Sequence, residues 1–137
     1  MCSAHLTKDN AVIFAYVSER QVLKALPKKI STALNEAVQS IANPFYVFLV
    51  FGSYAKGKAK TTSDIDILFI IHDKDQDAEF RSAIKKSATL NNLNLNPIIL
   101  TLKEFKAGLN EQSVSKEAYE KHLVFYGGEI FYNLISK

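Results

Sequence analysis

The residues of this chain best suited to chemistry are two pairs, Gly52-Ser53 and Asp64-x-Asp66. An apolar run, Tyr46 to Phe51, ends abruptly in Gly52-Ser53, and a short basic segment with a second glycine, Tyr54 to Lys60, follows. Ser63-Asp64-Ile65-Asp66 then opens another apolar run, Ile67 to Ile71. Both runs are short, rich in β-branched and aromatic residues and bounded by turn formers, so both read as buried strands. Side chains alternate along a strand, so Asp64 and Asp66 share one face while Ile65 and Ile67 point into the core. Two ionised carboxylates ~4 Å apart repel by about 4 kcal/mol at an effective dielectric of about 20. The pair persists if one acid is protonated, if both are solvated, or if a cation sits between them. Mg²⁺ suits the last case, because it prefers oxygen and is typically held by one or two carboxylates plus substrate phosphates. Glycine allows close backbone approach, and a serine hydroxyl with backbone N–H groups holds a phosphate. Taken alone, Asp-x-Asp is a solvated strand end and Gly-Ser is a turn. Together, between two strands, they read as a phosphate clamp facing a metal platform.

The stretch Gly52-Ser53-Tyr54-Ala55-Lys56-Gly57, followed after five residues by Ser63-Asp64-Ile65-Asp66, resembles the signature of the minimal nucleotidyltransferases of the DNA polymerase β-like superfamily. Lys56 stands where that pattern usually has Arg. The resemblance implies an α/β (α+β) fold, a palm-like mixed sheet flanked by helices. It implies Asp64 and Asp66 as catalytic, Mg²⁺-holding residues, and Gly52, Ser53, Lys56 and Ser63 as nucleotide-binding residues, with Lys56 or Lys58 neutralising charge. The donor it implies is ATP or another nucleoside triphosphate, and the reaction is nucleotidyl transfer, AMP from ATP, to an acceptor hydroxyl. Small stand-alone members resemble antitoxins that modify a HEPN-domain toxin, which implies a protein partner in trans or a homo-oligomer. Gly52 to Lys58 also fits most of a phosphate-loop pattern, GxxxxGK. It is rejected, because Ala59 lacks the metal-binding hydroxyl and the segment leads into a strand rather than a helix.

The third carboxylate that the resemblance implies belongs in the next strand, Leu95 to Thr101, where this chain has Asn96-Pro97 and no acid. Asn cannot take a proton from an acceptor hydroxyl. Three explanations stand: Glu104 substitutes, one metal suffices, or catalysis is weak or lost. The last gives an alternative reading, an antitoxin-like binding subunit that keeps a nucleotide site. Pro97 lacks a ladder donor, which puts this strand at a sheet edge.

The remaining elements must position these residues. Pro27 to Ala42 reads as a helix whose Ile30, Leu34, Val38 and Ile41 share a face. A second helix spans about Asp75 to Leu90, with Phe80, Ala83, Ile84 and Ala88 buried, and strand–helix–strand suggests a crossover. Thr101 caps a short helix, with Glu104 completing a capping box. A helix from Ser113 or Ser115 to about Lys121 follows, then a short strand at His122 to Tyr126 and a terminal helix, Glu129 to Ile135. Tyr119, Phe125, Tyr126, Phe131 and Tyr132 are expected to form an aromatic cluster, and His122 reads as a satisfied core or surface histidine.

Composition sets the outer bounds. The chain has 137 residues, 47% of them hydrophobic and 23% charged, which suits one globular domain. The expected division is an N-terminal extension over 1–26, a lid or partner surface, and a nucleotidyltransferase domain over 27–137. The formal net charge of +3 is compatible with anionic nucleotides and only weakly with nucleic acid. A single cysteine, Cys2, excludes a disulfide framework and a zinc cluster. No apolar run approaches membrane-span length, so no membrane partner is expected and a cytoplasmic location fits.

Overall fold

A computed structural model describes residues 26–57, 64–111 and 113–135. Helix α1 (Lys28–Ser40) leads into strand β1 (Tyr46–Phe51), and β2 (Ile65–Ile71) follows. A 3-10 turn (Lys74–Gln76) enters helix α2 (Asp77–Asn91), which crosses to β3 (Leu95–Thr101). Two short helices, α3 (Leu102–Gly108) and α4 (Val114–Glu120), precede β4 (Leu123–Tyr126) and helix α5 (Gly128–Ile135). The strands form one mixed sheet in the order β3-β2-β1-β4. β1 runs antiparallel to β2 and β4, whereas β2 and β3 are parallel.

Both faces of the sheet are covered, so β1 and β2 are continuous apolar runs rather than alternating ones. Tyr46, Phe48 and Val50 of β1 and Ile65, Ile67 and Phe69 of β2 pack beneath α1 and α2, against Ile30, Leu34, Phe80 and Ile84. The intervening Val47, Leu49, Phe51, Leu68 and Ile70 face the C-terminal helices, against Phe105, Ala118 and Phe131. Each such side chain stabilises the fold by about 1.5–3 kcal/mol on burial. Leu26 is buried in the first of these cores. The rest of the expected 1–26 extension lies outside the described residues.

Two expectations are corrected by packing. Ser87, not Ala88, completes the buried face of α2, because its hydroxyl donates to the Ala33 carbonyl and so ties α2 to α1. The C-terminal aromatics do not form one cluster. Phe125 and Tyr126 pack on the α1–α2 side, with Tyr126 stacked on Tyr46 at 4.4 Å between ring centroids. Phe131 and Tyr132 lie on the other side, and Tyr119 is 44% exposed. The Gly127-Gly128 turn sends α5 back across the opposite face of the sheet from the side on which β4 rests its aromatics.

β3 is an edge strand, and its free edge is largely closed. The Ile65 N–H donates to the Asn94 carbonyl, so Asn94, Asn96 and Ile98 present their backbone polar groups to β2. Leu95, Pro97, Ile99 and Thr101 therefore present theirs outward. Pro97 has no N–H, the Ile99 carbonyl accepts from Lys74 Nζ at 3.2 Å, and the Thr101 N–H donates to Glu104 at 2.9 Å. Such blocks protect an edge from unwanted strand pairing. Of these four, Leu95 alone keeps both groups open among the described residues. Among the described residues, no helix is long and apolar enough to cross a membrane.

Candidate functional site

β1 and β2 bring Gly52 and Asp66 together. Phe51 and Asp66 are paired across β1 and β2, and Asp66 and Asn96 are paired across β2 and β3, so one row of the sheet reads Phe51, Asp66, Asn96. Gly52 is the next residue out from that row. Its φ is +71°, and a Cβ placed there would run into Asp66 Oδ2. Any side chain there would strain the backbone and push the Asp66 carboxylate out of place. The other Asp66 oxygen, Oδ1, accepts from Asn96 Nδ2 at 3.0 Å. The carboxylate is therefore oriented from both sides. Asp64, just before β2, is exposed, and Asp66 is partly buried.

Beyond Gly52 the chain makes a single helical turn: the Lys56 N–H donates to the Gly52 carbonyl at 3.1 Å, and the Gly57 N–H to the Tyr54 carbonyl at 3.3 Å. The N–H groups of Ser53, Tyr54 and Ala55 open this turn and have no acceptor among the described residues. Opening N–H groups of this kind suit an anion. Ser53 is half-buried beside them. Lys56 extends to α4, where its Nζ lies 3.6 Å from Glu117 Oε1, and both side chains are close to half exposed. An exposed pair of this sort contributes about 0–1 kcal/mol, so it can yield to a stronger anion. Ser63 and Lys58 lie outside the described residues.

Glu104 does not replace the missing acid. Its carboxylate accepts from the Thr101 N–H while its own N–H donates to Thr101 Oγ1, which completes the capping box of α3. That backbone hydrogen bond, with Lys74 nearby, holds the Glu104 carboxyl below its usual range. Thr101 pairs with Ile71, five rungs along from the Asp66–Asn96 pair, which is about 17 Å at the rise of a strand. His122 is a satisfied histidine: Nδ1 lies 2.9 Å from the Ala118 carbonyl, and burial lowers its pKa.

Among the described residues, no group of three or more His, Cys, Asp or Glu side chains is placed to cage a metal. Mg²⁺ asks for less than a cage, one or two carboxylates, because it keeps waters and borrows substrate oxygens, and the exposed Asp64 and partly buried Asp66 are acids of that kind. Sequence reading passed over two neighbours of the site. Glu117 left no local signal, whereas Asn96 was visible as a missing acid but not as a hydrogen-bond donor to Asp66.

The four-stranded mixed sheet flanked by helices matches a nucleotidyltransferase fold. The chain belongs to the nucleotidyltransferase domain family, whose model matches residues 27–124. Among solved structures it is similar to a toxin-antitoxin crystallised with AMP-PNP, at 15% identity and a TM-score of 0.54, over 77% of this chain and 84% of that one. At that identity the likeness shows the fold. No curated protein matches the chain.

Proposed function

We propose that this chain moves a nucleotidyl group, AMP from ATP, onto a hydroxyl of a partner protein, with Asp64 and Asp66 holding Mg²⁺. The observation that carries this reading is the Asp66 carboxylate seated against Gly52, where a Cβ would displace it, at the mouth of a turn with open N–H groups. Ser53 and the N–H groups of Ser53 to Ala55 take phosphate oxygens. Lys56 leaves Glu117 to neutralise the triphosphate, and Ser63, next to Asp64 in the sequence, is a further nucleotide-binding residue. A bound Mg²⁺ supplies charge neutralisation on the phosphates. The acceptor oxygen forms a bond to the α-phosphorus as the bond to the β-phosphate oxygen breaks and pyrophosphate departs. Asn96 has no basic site for the hydroxyl proton, which passes to solvent. Catalysis here is positioning and electrostatics, as phosphoryl chemistry allows. The toxin-antitoxin likeness supports a protein partner, of the HEPN type if the resemblance in the sequence extends that far, and a nucleotide site. On this reading residues 27–137 are the catalytic domain and 1–26 a lid or partner surface, in the cytoplasm.

Neutral Asn96 favours a second reading, a subunit that binds nucleotide and neutralises a partner by contact alone. Incubation with α-labelled ATP, Mg²⁺ and cell extract separates the two. Labelled protein that is formed by the wild type and not by Asp64→Ala/Asp66→Ala supports transfer. Nucleotide binding without label in any protein supports the second reading.

A further inference from the structure

A cleft of about 470 Å³ opens between α2 and the start of β3, and Asp64 is among its lining residues while Asp66 is not. Asp64 and Asn96 line it together with Arg81 and Lys85 of α2, and Ile84 and Leu95 are among its apolar walls. Ser53, Lys56 and Asp66 are not part of it, so the cleft meets the site at Asp64, whereas the glycine turn meets it at Asp66. We propose that the cleft is the acceptor subsite and that it takes an extended, acidic polypeptide segment that carries the reacting hydroxyl. The inference rests on the nucleotidyl-transfer reading for the role of Asp64 and on the cleft itself for the class of ligand.

Charge, walls and edge point to that class. The Arg81 guanidinium is engaged by Asp77, one turn earlier on α2. Lys85 is exposed and has no ion pair among the described residues, which leaves its ammonium for an incoming carboxylate. Leu95 offers an outward N–H and carbonyl at the open start of the edge strand, one rung for an extended backbone before Pro97 ends the pairing. Among the described residues the lining holds no aromatic side chain on which nucleic-acid bases could stack.

The test uses the full chain and three probes: a glutamate–tyrosine copolymer, a lysine–tyrosine copolymer and a single-stranded RNA oligonucleotide. Binding is read by fluorescence anisotropy without nucleotide, and label transfer from α-labelled ATP is read separately. The glutamate–tyrosine copolymer is expected to bind best. Lys85→Glu weakens it roughly tenfold, the scale of one reversed charge pair at close range. Lys106→Glu, the same charge change on α3, leaves binding unchanged, and neither variant alters affinity for a non-hydrolysable ATP analogue. Tighter binding of RNA or of the lysine copolymer, or equal losses in Lys85→Glu and Lys106→Glu, overturns the acceptor cleft. Copolymer binding that depends on Lys85 in a chain that never binds nucleotide keeps the cleft and overturns the nucleotidyl reading instead.

Discussion

The two ends of β2 treat charge in opposite ways. Near its C-terminal end Lys74 donates to the Ile99 carbonyl and lies 3.6 Å from Asp77 and 3.5 Å from Glu104. Asp77 also pairs with Arg81, and Glu104 closes a helix cap. Those charges are satisfied within the molecule, and they hold β3, α2 and α3 together. At the N-terminal end Asp64 and Asp66 have no ion pair among the described residues, and a single neutral amide, from Asn96, orients one of them. Acids of the same type thus serve structure at one end and stand open to an outside cation at the other. The difference comes from the neighbours: a glycine and an amide at one end, a lysine and a threonine cap at the other.

Gly52→Ala attacks the open end hardest. The new Cβ meets Asp66 Oδ2 and the backbone angle is unfavourable, so unfolding stability falls by about 1–3 kcal/mol. Denaturant unfolding checks this, and a neutral result would mean that Asp66 does not rest on Gly52. Asn96→Asp sharpens the contrast by placing a third acid directly across from Asp66. Without metal the added repulsion costs about 1–2 kcal/mol at an exposed site, and Mn²⁺ restores it. Melting with Mn²⁺ and with chelator reads that difference, which should be larger than in the wild type. Thr101→Ala probes the closed end, where it removes a cap worth about 1 kcal/mol and leaves nucleotide affinity unchanged. Equilibrium unfolding beside an ATP-analogue titration separates the two effects.

The smallest effect concerns pH. Burial lowers the His122 pKa below its ordinary value of 6.5, so the folded state disfavours the charged ring. The stability linked to neutral His122 is full above about pH 6.5 and is lost as pH falls through the lowered folded value. The unfolding midpoint should therefore drop less between pH 7.5 and 5.5 in His122→Gln than in the wild type (a step of about two pH units around the titration). Equal drops would remove His122 from the account.

Much of this was legible in the sequence. β1 and β2 stood out because both faces are buried, which leaves uninterrupted apolar runs between turn formers. The Thr101–Glu104 cap was readable because its contacts are local. Pro97 marked the edge strand through its missing donor. What stayed hidden depends on register between distant segments. That Asn96 lies beside Asp66, and Glu104 far from it, follows from how α2 returns the chain to β3. Ser87 replaces Ala88 in the buried face because a hydroxyl finds the Ala33 carbonyl, a partner that no helical periodicity reveals. The aromatics divided because β4 and α5 pack on different faces, a matter of topology rather than spacing.

Asp64 and Asp66 are expected to close on a divalent cation together with a triphosphate. Electron paramagnetic resonance of Mn²⁺, titrated into the full chain with and without a non-hydrolysable ATP analogue, measures this directly. The wild type should take up one nucleotide-dependent Mn²⁺ that Asp64→Asn/Asp66→Asn lacks, with both proteins equally folded. Equal Mn²⁺ uptake by the two proteins would contradict the account.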